Sequence, residues 1–232
     1  MKLRVKFTKK ESSRYLSHLE LMTAMERTFR RAQVPFAFSQ GFNPHPKISY
    51  ASALTVGITS EAEYLDVELS ENIQPEKFVA MANNKTIVGV EILEAVEVTS
   101  KVKSLTAAVE GASYRVISSL ETMIDSEQCN ETIDNFLLQP EIIVTRKTKK
   151  GPKDIDIKSG IFNMECNLSQ EVLTLKFFVR SGSKGNVRPQ EVWEAFAKFA
   201  NINIQSIPSY VREDLYTIID EKIYNLIDML EG

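Results

Sequence analysis

A chain of 232 residues with 43% hydrophobic composition can bury one large core or two of ordinary size, and its formal net charge is only −3. No apolar run approaches the ~20 residues of a membrane span, and MKLRVKFTKK lacks the apolar stretch of a signal peptide. Cys129 and Cys166 stand far apart in no ligand-like spacing, so no disulfide framework, zinc site or iron–sulfur site is expected. The expectation is a globular, cytoplasmic protein with two buried free thiols and no metal or other cofactor.

The small net charge conceals a segregation. From Met1 to Tyr50 the bases Lys2, Arg4, Lys6, Lys9, Lys10, Arg14, Arg27, Arg30, Arg31 and Lys47 face only Glu11, Glu20 and Glu26, whereas Glu61 to Glu97 and the C-terminal tail are acidic. Such a distribution suits one face for an anionic partner and another turned away from it.

In chain order, KLRVKF alternates as a strand, with Leu3, Val5 and Phe7 on one side. A helix follows. Ser17 and Glu20 form a capping-box pattern, Leu16 and Leu21 a hydrophobic staple, and Leu21, Met22, Met25, Phe29 and Ala32 an apolar stripe. Pro35 ends the helix, and residues 35 to 54 read as an extended segment interrupted by SQGFNPHPK. EYLDVEL is a strand, PEKFVAMANN a helix opened by Pro75, and VGVEILEAVEV another strand. SLTAAVEGA reads as a linker, after which the order returns: strand SYRVISS, helix NETIDNFLL, a ribbon with a basic turn, strand EVLTLKFFVRS, helix PQEVWEAFAKFA and strand SIPSYVREDLYTI. Ile219, Ile223, Leu226, Ile227 and Leu230 then fall at the spacing of a final amphipathic helix. The fold expected is α+β: two tandem ferredoxin-like (βαββαβ) domains with antiparallel sheets, residues 1–103 and 112–232, plus a C-terminal helix.

Three stretches carry candidate chemistry. In SQGFNPHPKISYA, Gly41 opens backbone space closed to other residues, while Pro44 and Pro46 stiffen their surroundings. Gln40 and Asn43 offer amides, His45 a titratable ring, Lys47 a charge, and Phe42 and Tyr50 faces for stacking, an inventory suited to a splayed-out nucleotide. The same residues also suit a purely structural corner. In RSGSKGNVRP, Lys184, Asn186 and Arg188 precede Pro189 at a helix start, a setting for an anion or for a plain flexible turn. In TRKTKKGPKD, Arg146, Lys147, Lys149, Lys150 and Lys153 crowd a hairpin turn, as a phosphate backbone or simple solvation would require. Arg14, Arg27, Arg30 and Arg31 add backbone-binding charge. His18 and His45 together would suit metal-independent RNA cleavage, one taking the 2′-hydroxyl proton and the other protonating the leaving oxygen.

RYLSHLELMTAMERTFRRA followed by SQGFNPHPKISYA resembles the radical-SAM-associated family of uncharacterised function (DUF2344), homologous to the C-terminal region of some cobalamin-binding-type radical SAM proteins. The likeness continues through GITSEAEYLDVEL and more weakly through GNVRPQEV, so it covers nearly the whole chain. Family members commonly carry Asp and Arg where Glu20 and Thr23 stand here. The resemblance implies a radical SAM partner more than a reaction; two distant cysteines cannot supply the clustered thiolates of an iron–sulfur site, so the radical chemistry itself is not expected of this chain. The element order also resembles the paired ferredoxin-like domains of repeat-associated RNA-processing proteins, a likeness of topology alone. The expectation from these readings is a non-catalytic subunit that binds structured RNA, tRNA or rRNA, and presents it to a separate radical SAM enzyme. The alternatives are a metal-independent endoribonuclease and a protein–protein adaptor for that enzyme.

Overall fold

Alternation along the first strand buries Leu3, Val5 and Phe7 beneath helices and turns Arg4 to the other face, where the chain's own C-terminal segment meets it. In this computed structural model the described residues are 1–99, 102–120, 126–169 and 171–230. The elements are β1 (Lys2–Lys9), α1 (His18–Arg31), β2 (Ile48–Tyr50), β3 (Thr59–Glu68), α2 (Pro75–Asn83), β4 (Ile92–Glu97), α3 (Leu105–Ala108), β5 (Gly111–Ser119), α4 (Ser126–Leu138), β6 (Ile143–Thr148), β7 (Gly151–Asp156), β8 (Ile161–Ser169), β9 (Val172–Arg180), α5 (Pro189–Phe199), β10 (Ser209–Ile219) and β11 (Lys222–Asn225). Together they make a mixed α/β protein with mostly antiparallel strands and few helices. Met1–Glu110 and Arg212–Gly232 form one compact unit; Gly111–Val211 form the other.

In the first unit the strands run in the order β4-β1-β3-β10, with β2 also on β3 and β11 on β10. β1 is antiparallel to both β3 and β4. Ser17 and Glu20 close the expected capping box, which satisfies free N–H groups at the start of α1. Helix α1 buries Leu21, Met25 and Phe29, and α2 buries Phe78, against Leu3, Val5, Phe7, Leu65 and Val67. Phe29 and Phe78 meet with ring centroids 5.4 Å apart.

The other face of this sheet is held by charge. Arg4 donates to Asp66 through Nε at 2.8 Å and NH2 at 3.2 Å, and through NH1 to the Leu226 carbonyl at 2.8 Å, all out of solvent. Lys6 meets Asp214 at 3.0 Å, and the Tyr64 hydroxyl donates to the same carboxylate at 2.5 Å. Breaking one partner of such a buried pair costs about 3–5 kcal/mol, because the survivor stays desolvated and unpaired.

In the second unit β9 pairs with β5 and β8, both antiparallel, and β6 and β7 form a separate hairpin. Phe136 of α4 packs on Phe196 and Phe199 of α5, both at 5.5 Å between centroids.

Four expectations are corrected. The C-terminal helix is a hairpin: Ile218 pairs with Ile223 and Ile219 with Lys222, across a turn in which Asp220 and Glu221 have φ of 49° and 65°. Leu226 and Ile227 are nonetheless buried; the helical spacing was coincidence, and a tight turn closed by the Ile218–Ile223 and Ile219–Lys222 pairs won. The tail from Arg212 onward joins the first unit, because Arg4, Lys6 and Tyr64 hold it there. The supposed linker contains α3, with Leu105 and Ala108 buried. Cys129 of α4 and Cys166 of β8 are paired rather than separate free thiols, their Cα atoms 6.6 Å apart.

Candidate nucleic-acid interface

The SQGFNPHPK stretch is a loop zipped at its base. Glu68 and Lys47 bond backbone to backbone at 3.0 Å, Lys47 N–H donates to the Ala37 carbonyl at 2.9 Å, and Phe38 bridges Pro46. One step further, the Ser39 N–H donates to the His45 carbonyl at 2.8 Å, and the His45 N–H donates to Ser39 Oγ at 3.0 Å. Gly41, at φ +133°, makes the bend that a side chain would strain. The tip from Gln40 to His45 is exposed, and Phe42 stands wholly in solvent. Because the base is fixed and two prolines restrict the tip, a ligand meets a surface whose ordering cost has already been met by folding.

Beside the loop lies a cation–aromatic platform. The Arg30 guanidinium sits 5.9 Å from the Phe36 ring and 5.7 Å from the Phe38 ring, and those rings meet edge to face at 6.2 Å. Glu26, one turn earlier on α1, holds Arg30 Nε at 2.8 Å. Arg14 lies over Tyr15 at 4.8 Å and donates to its hydroxyl at 2.7 Å. At the start of α1, His18 meets Tyr50 edge-on at 5.6 Å. The Tyr50 hydroxyl is buried with no hydrogen-bond partner among the described residues, and burial, aided by the Glu26 charge, pushes its pKa up.

The residues singled out from sequence are distributed unevenly. Gln40, Asn43 and His45 share the exposed loop tip. Lys47 is turned to Glu68 at 2.8 Å. Arg27 and Arg31 are exposed on α1, with Arg31 donating to the Lys85 carbonyl at 3.0 Å. His18 and His45 have different settings, one ring against Tyr50 and the other at the loop tip. Lys147, Lys149, Lys150 and Lys153 are exposed on the β6–β7 hairpin. Arg146 is not: Nε and NH2 clasp Glu191 at 2.5 and 2.6 Å, and NH2 also donates to the Asn186 carbonyl at 2.5 Å. The bond to Glu191 raises the guanidinium's pKa above its ordinary value, against the opposing pull of burial. Glu191 also accepts the Arg188 N–H at 3.1 Å. At the start of α5, near Lys184, Asn186 and Arg188, the chain's own carboxylate therefore lies on the Arg188 amide.

Sequence reasoning missed a buried cluster. Arg212 clasps Glu63 at 2.8 and 3.0 Å, and Lys9, only 1% exposed, donates to the Leu16 carbonyl at 2.8 Å. Burial lowers the Lys9 pKa, with the Glu63 charge opposing and Arg212 assisting. It also missed the Arg30 platform, whose only signal was the closeness of Arg30, Phe36 and Phe38 in sequence.

The fold and site define a mixed α/β protein that displays a stiff, aromatic-tipped loop beside a cation–aromatic platform. The chain belongs to the family described as uncharacterized protein conserved in bacteria (DUF2344), its residues 2–189 matching that family. No curated protein matches it. Among solved structures, a Cbf5–Nop10–Gar1 complex is similar at 9% identity and a TM-score of 0.48, over 99% of this chain and 54% of that one. An archaeal box H/ACA sRNP Nop10–Cbf5 complex is similar at 7% identity and a TM-score of 0.47, over 90% and 46%. An H/ACA RNP bound to a substrate RNA containing 2′-deoxyuridine is similar at 8% identity and a TM-score of 0.46, over 99% and 52%. This chain thus spans about half the length of those it is compared with.

Proposed function

We propose that this protein is an RNA-recognition module, not catalytic on its own, that holds an unpaired nucleotide on the Gln40–His45 loop. It would present a segment of tRNA or rRNA to a separate radical SAM enzyme, on a tandem ferredoxin-like scaffold. The observation that carries the reading is Phe42 at the tip of a loop whose base is closed by the Ser39–His45 hydrogen bonds. A fully exposed phenylalanine gains nothing in the folded monomer, and a base stacked on such a ring contributes about 1–3 kcal/mol. On this reading Gln40, Asn43 and His45 would read the edges of that base and the arginines of α1 would meet its phosphates, which the exposure of all these side chains supports.

The nuclease reading would use His45, with or without His18, and the edge-on contact of His18 with Tyr50 favours a packing role for that second ring.

The test has two readouts. Labelled single-stranded RNA is titrated with the protein at low salt and at about 0.5 M salt, where phosphate contacts weaken steeply. A radical SAM protein is then sought among co-purifying chains, with and without ribonuclease treatment. Salt-sensitive binding of intact RNA and a ribonuclease-resistant partner support the proposal; absence of RNA binding at low salt contradicts it.

A further inference from the structure

Strands β6 and β7 pair with each other from Ile143–Asp156 to Thr148–Gly151 and with no other strand among the described residues. Their tip is a built turn. Thr148 Oγ1 donates to the Gly151 carbonyl at 2.8 Å and accepts the Lys150 N–H at 3.2 Å, and Gly151 takes φ +110°. Thr145 Oγ1 donates to Asp154 at 2.6 Å across the ladder. On this frame Lys147, Lys149, Lys150 and Lys153 are all exposed, and among the described residues none is in an ion pair. Like charges repel over the ~8 Å screening length of physiological salt, and a polyanion laid across such a cluster removes that cost.

Two details identify the polyanion. No aromatic residue occurs between Ile143 and Asp156, so this hairpin offers a base nothing to stack on. A lysine is a compact point charge suited to phosphates that face outward, as they do along a double helix. Arg146, in turn, bonds Glu191 and Asn186 through Nε and one terminal nitrogen and ties the hairpin to the start of α5.

We propose that the β6–β7 hairpin is a sequence-independent contact for the phosphate backbone of base-paired RNA, with Arg146 as the positioning residue that holds it. This deepens the RNA-binding reading and rests on it for the class of ligand; the loop takes an unpaired nucleotide, the hairpin a duplex.

The probe is a blunt RNA duplex of about 20 base pairs, longer than the ~16 that a shape-reading module spans. Replacing Lys147, Lys149, Lys150 and Lys153 by glutamine should weaken duplex binding at least about tenfold at low salt. It should also flatten the slope of log affinity against log salt by about 3.6, roughly 0.9 for each of the four lost phosphate contacts. Phe42→Ala should leave duplex binding unchanged. Arg146→Gln should lower affinity with the salt slope intact, and Arg146→Lys should recover part of it. Unchanged duplex affinity in the glutamine variant overturns the proposal, as does binding to phosphatidylserine vesicles without binding to the duplex. A slope reduced by about 1 in Arg146→Gln overturns the positioning role, since the guanidinium would then be a phosphate contact itself. A short single-stranded RNA, bound equally by wild type and the glutamine variant, keeps failure here distinct from failure of the loop reading.

Discussion

Ser39 and His45 close their loop twice, the Ser39 N–H donating to the His45 carbonyl at 2.8 Å and the His45 N–H donating to Ser39 Oγ at 3.0 Å. The second bond depends on a hydroxyl that Ser39→Ala removes. A hydrogen bond of this kind contributes about 0.5–1.5 kcal/mol. If the loop binds in its closed form, that loss lowers RNA affinity by up to roughly tenfold and unfolding stability by no more than about 1.5 kcal/mol. Anisotropy titration beside a melting curve checks both halves of the expectation.

Asp66 accepts two bonds from Arg4 at the back of the first unit's sheet. Asp66→Ala should cost about 3–5 kcal/mol in urea unfolding, because Arg4 stays buried without its counter-ion. The double variant Arg4→Met, Asp66→Leu should recover much of that loss, since neither charge is then stranded. Equal destabilisation by the single and double variants would place the cost in packing instead.

Asp156 tests the base of the lysine hairpin through pH. Its carboxylate accepts the N–H groups of Ile142 and Lys158, both at 2.9 Å, and these bonds hold its pKa below the ordinary carboxylate range. The folded protein therefore takes up this proton less readily than the unfolded chain. The stability gained is present above the ordinary aspartate value, about pH 4, and is lost as pH falls through the lower folded value. Wild type should lose more stability than Asp156→Asn between about pH 4 and pH 2, measured by urea midpoints. Parallel losses in the two proteins would mean that Asp156 is not held by those bonds in solution.

Much of this was legible in the sequence where local rules decide. The alternation of Leu3, Val5 and Phe7, the Ser17–Glu20 capping box and Pro75 at the first turn of α2 each fixed an element through its immediate neighbours. The stiffness of the SQGFNPHPK loop followed likewise from Gly41 and its prolines. What was not legible depends on partners far along the chain. Arg4 is buried because Leu226 returns to it across 222 positions, and Cys129 meets Cys166 because α4 packs on β8. Arg146 looked like one more cation in a basic turn until Glu191, 45 positions on, claimed it. The tail shows the opposite failure, in which a helical spacing from Ile219 to Leu230 was present but the positive-φ turn at Asp220 and Glu221 outweighed it.

On the proposed reading the exposed Phe42 ring stacks a base. The direct measurement is the affinity of a labelled, unstructured RNA for wild type and Phe42→Ala at low salt, with circular dichroism confirming that both are folded. The expected result is a loss of about 1–3 kcal/mol, roughly 5- to 150-fold, with the fold unchanged. Equal affinity of the two proteins, or no RNA binding by either, would contradict it.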